Sequence, residues 1–325
     1  MAVYTHLSNE EIAALLAGHY RIGRFAFAVG IASGVENSNF LVVTDDDAGR
    51  EQKQILTLYE KRVEASELPF FLELLQHLAA RGVACPQPIA RTDGALFGTL
   101  RGRPAAMVSF LHGNSRTVIS AAHTGEVGRA LAQLHVAGEG FARQRENRLS
   151  LAGWSDLAQK LEGKLDAIAP GLDALAAETL FEIRAQWGAV CALPRGIIHA
   201  DFFPDNVFFE GEKLSGVIDF YFACVDAWAY DLAIAINAWC FEPTGEFNAE
   251  KSQRMIAEYQ RVRPLGEAEI EALPLLLRGA ALRFFLTRAH DWIHRTPGAH
   301  VVLLDPLEYA GKLRFYRNNM VSGGW

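Results

Sequence analysis

The sequence predicts an α+β fold in two lobes, an N-terminal antiparallel sheet with one main helix followed by a mainly helical C-terminal lobe. Three observations carry that expectation. Runs with strand-like alternation crowd ahead of His112; beyond it, apolar residues recur at three- and four-residue spacing; and a lone β-like stretch, residues 196–220, interrupts those helices. A chain of 325 residues exceeds one average domain, so a bilobal organisation is also the expectation from length. The strands give way to helices at "FLHGNSR", which places the expected boundary between residues 1–112 and 113–325.

Taken in order, "SNEEIAALL" opens with a capping box, Ser8 paired with Glu11 three residues on. "RFAFAVGIASG", "NFLVVTDDDAGR" and "KQILTLYEKR" then read as three strands, the second turn being the Asp-rich "TDDDAGR". "SELPFFLELLQHLAARG" is the lobe's helix: Ser66 is its expected cap, Leu68, Phe71, Leu72, Leu75 and Leu78 form its apolar stripe, and Arg81 with Gly82 ends it. Short strands around "GALFGTL" and "PAAMVSFL" complete the sheet. Helical periodicity follows over 120–138, 154–169, 173–192, 229–241, 249–262 and from Pro274 to Arg295.

Composition removes several classes of function. A net charge of -7 supplies no basic footprint for nucleic acid or an anionic membrane, so neither is expected as a partner and a small solute is. Cys85, Cys191, Cys224 and Cys240 stand far apart without a C-x-x-C pair, which argues against a zinc site or disulfide framework and for buried thiols in a reducing compartment. No basic segment followed by an apolar one opens the chain, and no uncharged apolar run reaches a membrane span. A cytoplasmic location is expected.

The chemistry gathers in "GIIHADFFPDNVFFEGEKLSGVIDF", where His199, Asp201, Asp205, Asn206 and Asp219 punctuate an apolar stretch. "GIIHA" reads as a strand entering a loop, and "NVFFEGEKLSGVIDF" as a hairpin turning at "EGEK". Closing a hairpin makes neighbours of its ends, Asn206 and Asp219, and a five-residue loop holds Asp201 beside them. Three oxygen-bearing side chains at one mouth suit a hard cation such as Mg²⁺, which takes a few carboxylates plus phosphate oxygens. Singly, each residue is ordinary turn chemistry; the joint pattern H-x-D-x-x-x-x-N with a returning I-D-F is not.

"HADFFPDNVFF" followed by "GVIDF" resembles the catalytic and metal-binding segments of the protein-kinase-like fold, in its aminoglycoside phosphotransferase and choline kinase branch. "MVSFLHG", "GRALAQLH" and "DAWAYDLA" match further segments in order along nearly the whole chain. By that resemblance Asp201 is the catalytic base, Asn206 and Asp219 are the Mg²⁺ ligands, His199 buttresses the loop, and Asp231 ties a helix to it. ATP is the implied phosphate donor. "LYEKRVEASELPFFLELLQHLAARGV", "RGAALRFFLTRAHDWIH" and "DPLEYAGKLRFY" are similar to the bacterial homoserine kinases of this branch, which implies L-homoserine as acceptor and a place in threonine biosynthesis. Choline, methylthioribose or an aminoglycoside are the alternative acceptors, and a nucleotide-binding pseudokinase is the alternative of another class. The last retains little support, because the base and the metal aspartate are both present.

The remaining expectations concern contacts to nucleotide and acceptor. In "ASGVENSNF", Gly34 with the small polar run containing Asn37 and Ser38 is placed to lay backbone N–H groups over phosphates. Ser109 and Leu111, in the lobe-joining segment, are further nucleotide contacts. The strand lysine of kinases has no counterpart, since its aligned position falls near Thr57. Lys61 shares that strand face and Lys53 reaches from the other end; for Lys61 a solvated strand-end charge is the competing reading. Glu64, Glu67 and Glu73 are the candidates for its partner. A zwitterionic acceptor needs a cation and an acid, and "LRFFLTRAHDWIHR" offers Arg283, Arg288 and Asp291, the last two at i,i+3 spacing that an intrahelical ion pair would equally explain.

Overall fold

Residue patterning in the first 110 or so positions, read against a pleat of period two, becomes a five-stranded antiparallel sheet. The structure, a computed structural model, describes residues 5–31, 37–60, 64–294 and 303–319. Helix α1 (Asn9–His19) begins at the expected capping box: Ser8 Oγ accepts from Glu11 N–H, and the Glu11 carboxylate accepts from Ser8 N–H. The meander β1 (Arg24–Ile31), β2 (Ser38–Asp45) and β3 (Glu51–Leu58) follows. After α2 (Leu68–Ala79) come β4 (Gly98–Leu100) and β5 (Arg103–Ser109), and the strand order is β1-β2-β3-β5-β4. Ile12, Leu15 and Leu16 of α1, with Tyr20 just past its end, cover Phe40, Val42, Leu56, Leu58, Ala105 and Met107; Leu68 and Leu72 of α2 join Tyr59 and Ala106 in a second cluster. Gly23 is obligatory where it stands, because its φ is +93° and a Cβ there would lie 2.3 Å from the Asp45 carbonyl oxygen.

Ser66 does not cap α2. Glu67 occupies that position without capping the helix through its side chain, and Pro69 in the first turn, with φ preset for a helix, starts it instead.

The second half begins with α3 (Ala121–Ala137), α4 (Leu151–Leu161) and α5 (Leu172–Cys191). The helix expected over 154–169 is shorter, because the chain leaves α4 at Gly163, φ +72°, for a single 3₁₀ turn at Leu165–Ala167. β6 (Arg195–Ile198) leads to the loop carrying Asp201, and the hairpin β7 (Val207–Glu210) and β8 (Lys213–Val217) turns at Gly211, as "EGEK" predicts. A further strand, β9 (Cys224–Ala227), pairs antiparallel with β6; at four residues it offers no readable period. Then come α6 (Trp228–Trp239), α7 (Ala249–Gln260), α8 (Glu267–Ile293) and α9 (Pro306–Asn318). Helix α8 starts seven residues ahead of the expected Pro274, because Glu269 reaches back to accept from Gly266 N–H at 3.0 Å, and it carries Pro274 inside it. Helix α9, not anticipated as an element, is capped by Asp305, which accepts from Leu307 N–H at 2.8 Å. Helices α3 and α7 approach closely at Gly128, where a Cβ would meet the Met255 carbonyl oxygen at 2.1 Å.

Among the described residues the chain divides into two compact units. One is built from the chain up to His112 with Gly216–Tyr221, the other from Gly113–Ser215, Phe222 to residue 294, and Leu303 onward. Asp219 therefore belongs to the first unit, and Asp201 and Asn206 to the second. No helix among the described residues is long and apolar enough to cross a membrane, and all four cysteines are free thiols.

Candidate active site

The loop between β6 and β7 owes its shape to buried polar groups on four helices. Ala200 stands at φ +62°, a conformation that costs a residue with a Cβ about 1–2 kcal/mol. Both of its peptide groups are held. Asp231, fully buried on α6, accepts from Ala200 N–H through Oδ1 at 2.8 Å and from His199 N–H through Oδ2 at 2.7 Å. Arg283 of α8, only 1% exposed, donates from Nη1 to the Ala200 carbonyl at 2.6 Å. Trp239 at the end of α6 donates from Nε1 to the Phe202 carbonyl at 2.7 Å.

A second layer holds Asp231. His135, at the C-terminal end of α3, donates from Nε2 to Asp231 Oδ2 at 3.0 Å and accepts from the Tyr259 hydroxyl of α7 at 2.7 Å through Nδ1. Burial alone would push the Asp231 carboxyl up, but the bonds from His135 and the His199 amide outweigh it and hold the group below the usual carboxylate range. Burial likewise pushes the His135 imidazole down, opposed by Asp231, so this histidine is neutral at pH 7.

Inside that frame the expected residues meet. The His199 ring, fully buried, accepts at Nδ1 from Asp201 N–H at 3.2 Å, which leaves the proton of the neutral ring on Nε2. Asn206 sits at the end of a 3₁₀ turn, Pro204–Asn206, and its Nδ2 donates to the Asp201 carbonyl at 2.9 Å and to Asp201 Oδ2 at 3.0 Å. The amide thus turns its nitrogen toward Asp201 and its oxygen the other way, the atom a hard cation takes. Asp205, between them, is exposed. This loop can orient a hydroxyl against Asp201 and offer one oxygen ligand through Asn206.

In the first unit Asp219 also stands in the left-handed region, at φ +63°, and its charge reaches the buried phenols of Tyr59 and Tyr221. Its carboxylate, like the Asn206 oxygen, is a hard donor of the kind Mg²⁺ takes. Asn37 and Ser38 are both buried against Glu60: Asn37 Oδ1 accepts from Glu60 N–H at 3.3 Å, and Ser38 Oγ donates to Glu60 Oε1 at 2.7 Å. Arg103 completes that group with an ion pair to Glu60 at 2.7 Å. Glu60 was not singled out by pattern, since a glutamate at a strand end ordinarily reads as solvated. Thr57 donates to Asn39 Oδ1 at 2.8 Å. Lys53 lies at the exposed end of β3, paired with Glu51 at 3.3 Å, while Gly34 and Lys61 lie outside the described residues. Glu64 is exposed and Glu67 and Glu73 are half-buried at the start and middle of α2. Ser109, ending β5, accepts from Gln87 N–H at 2.9 Å, and Leu111 lies against Gly216.

The three residues expected to read the acceptor occupy different surroundings. Arg283 is spent on the Ala200 carbonyl, as above. Arg288 of the same helix, 8% exposed, pairs with Glu308 of α9 at 2.6 Å rather than forming the i,i+3 pair with Asp291 that spacing allows. Asp291 is exposed, with its neighbour His290 at 3.5 Å. His135 and Tyr259, which sequence reasoning left without a role, are signalled only by polar residues falling on otherwise apolar helix faces.

Residues 28–265 match the model of the phosphotransferase enzyme family. A relative from Rhizobium johnstonii named homoserine kinase is 55% identical over 318 residues, 98% of this chain and 96% of its own length. One of the same name from Azorhizobium caulinodans is 55% identical over 317 residues, again 98% of this chain and 96% of the relative. Among solved structures, a spectinomycin phosphotransferase in complex with ADP and spectinomycin superposes with a TM-score of 0.67 at 13% identity, covering 98% of this chain and 96% of that one. A microcompartment-associated aminopropanol kinase gives 0.62 at 19% identity, over 95% and 97%. At such identities these two structures speak for the fold alone, and the fold is the protein-kinase-like one that the loop motif implies. A family signature running from β1 through the Asp201 loop to the residues after α7 makes the chain a member of the phosphotransferase enzyme family.

Proposed function

We propose that this chain is an ATP-dependent homoserine kinase, transferring the γ-phosphoryl group of ATP to the hydroxyl of L-homoserine in threonine biosynthesis. The observation that carries it is 55% identity over 98% of the chain to relatives named homoserine kinase. The site roles follow the loop geometry. Phosphoryl transfer passes through a loose, highly charged transition state, so the protein mainly positions groups and neutralises charge. Asp201, its carboxylate steadied by Asn206 Nδ2 at 3.0 Å, accepts the proton of the acceptor hydroxyl and aims its oxygen. His199 supports the backbone at Asp201, and Asp231 and Arg283 keep Ala200 in its strained conformation. Asn206 and Asp219 are the residues that would hold Mg²⁺, which supplies neutralisation of the phosphate oxygens when bound. For the nucleotide we assign Gly34, Asn37, Ser38, Lys61, Ser109 and Leu111, and a cytoplasmic location is in keeping with a small-molecule kinase.

The test is a coupled ADP-release assay with L-homoserine, choline, 3-aminopropan-1-ol and spectinomycin, with the product identified by phosphorus NMR. O-phospho-L-homoserine should form with the highest kcat/KM. A higher value for any other acceptor would overturn the substrate while leaving the phosphotransferase assignment intact.

A further inference from the structure

Helices α8 and α9 hold three buried donor atoms that have no hydrogen-bond partner among the described residues: Arg283 Nε, Arg288 Nε and the Tyr309 hydroxyl. They are close to one another. The Arg288 guanidinium lies 4.5 Å from the Tyr309 ring centroid, that of Arg283 lies 4.5 Å from the Phe284 ring, and the Phe284 and Tyr309 rings are 5.3 Å apart. Tyr309 is fully buried, and Phe203, two residues past Asp201, is 6.5 Å from it. Burial, and after it the charges of Glu308 and Asp201, push the Tyr309 phenol up, opposed by Arg288.

A buried hydroxyl left unpaired is destabilising, and phenylalanine would fill the same volume without that cost. The ring already serves the fold, flanked by Arg288 and by Lys312 Nζ at 4.1 Å; the hydroxyl does not. Lys312 is engaged elsewhere, donating to Asn237 O at 2.8 Å and Glu308 Oε1 at 2.6 Å. Arg288 donates through Nη1 alone, to Glu308 at 2.6 Å and the Asp305 carbonyl at 3.3 Å. Its opposite edge, Nε with Nη2, is the one that grips a carboxylate through two parallel bonds. Two cations, Arg288 and Lys312, share one carboxylate, Glu308.

We propose that the Tyr309 hydroxyl and the Nε/Nη2 edge of Arg288 form a cradle for the α-carboxylate of the acceptor amino acid, beside the Asp201 loop. This rests on the homoserine reading and adds its specificity determinant: Tyr309 and Arg288 bind, whereas Arg283, committed to Ala200, positions the loop. The probe is L-2-aminobutyrate, which has the carboxylate and ammonium of homoserine but no hydroxyl to phosphorylate. Calorimetry in the presence of Mg²⁺ and a non-hydrolysable ATP analogue should show it binding Tyr309→Phe about tenfold more weakly than wild type, the weight of one hydrogen bond to a charged group. In turnover the same variant should raise KM for homoserine by a similar factor while KM for ATP and the melting temperature do not worsen. Equal affinity of both proteins for 2-aminobutyrate, or no binding by either, overturns the cradle. A drop in 2-aminobutyrate binding with no turnover of homoserine keeps the cradle and refutes the homoserine reading.

Discussion

Two polar regions of the helical unit, reached from α8 by Arg283 and Arg288, are finished to different degrees. Around Ala200 the N–H and the carbonyl both have buried partners, Asp231 and Arg283, and His135 and Tyr259 hold Asp231, with Arg283 Nε alone of these groups left without a partner among the described residues. Around Tyr309 the hydroxyl and Arg288 Nε are left without partners among the described residues. A network whose backbone groups are held fixes geometry, and this one fixes the loop that carries Asp201. An unsatisfied one waits for a ligand, and its partner is proposed to be the part of the acceptor that distinguishes it from other small alcohols.

The comparison breaks most visibly at Asp201. Asp201→Asn keeps the shape of the loop, because an amide oxygen can still accept from Asn206, yet kcat should fall by about 10²–10⁴, the weight of one positioned base. Steady-state kinetics with an unchanged melting temperature would confirm both halves; near-normal turnover would remove Asp201 from the chemistry. Next in size is Arg283→Met, which leaves the Ala200 carbonyl without its donor and should cost about 2–3 kcal/mol of stability, read by denaturant unfolding. Loss of homoserine selectivity with no loss of stability would instead make Arg283 an acceptor ligand.

The smallest effect is on pH. His135 is held below its ordinary value of 6.5, so its contribution to stability is present above that pH and is lost as the pH falls from there through its lower folded-state value. Asp231, lowered from its ordinary 3.8, adds a second loss only at more acid pH, as its carboxyl protonates. Melting temperature should therefore decline by a few degrees between pH 7.5 and 5.5, and His135→Gln should flatten that decline. An identical slope in wild type and variant would show that the acid sensitivity arises elsewhere.

What was legible in the sequence follows the span of each interaction. The Ser8–Glu11 box and the "EGEK" turn reach three residues or fewer and were readable directly. Asp201 and Asn206, five apart, were readable as a motif whose mutual bond the structure displays. Ser66 misled because a cap residue is common before a helix, whereas Pro69 inside the first turn set the start. β9 is four residues long and exists because β6 pairs with it. Arg283 bonds a carbonyl 83 residues away, and no local pattern separates such an arginine from one that reads a substrate. Arg288 and Asp291 share a helix face by spacing, but the arrival of α9 with Glu308 decided the partner. Tyr309 stood in a segment with no assigned element, so its burial was invisible until α9 was placed.

The most direct test compares two acceptors that differ only in the carboxylate, L-homoserine and 3-aminopropan-1-ol, in wild type and in Arg288→Ala. A wild-type kcat/KM ratio of about tenfold or more, falling toward one in the variant, is the predicted result, since each 1.4 kcal/mol of lost carboxylate binding is one decade. A wild-type ratio near one, or a ratio that Arg288→Ala leaves unchanged, would contradict the division between a loop that does the chemistry and a cluster that chooses the acceptor.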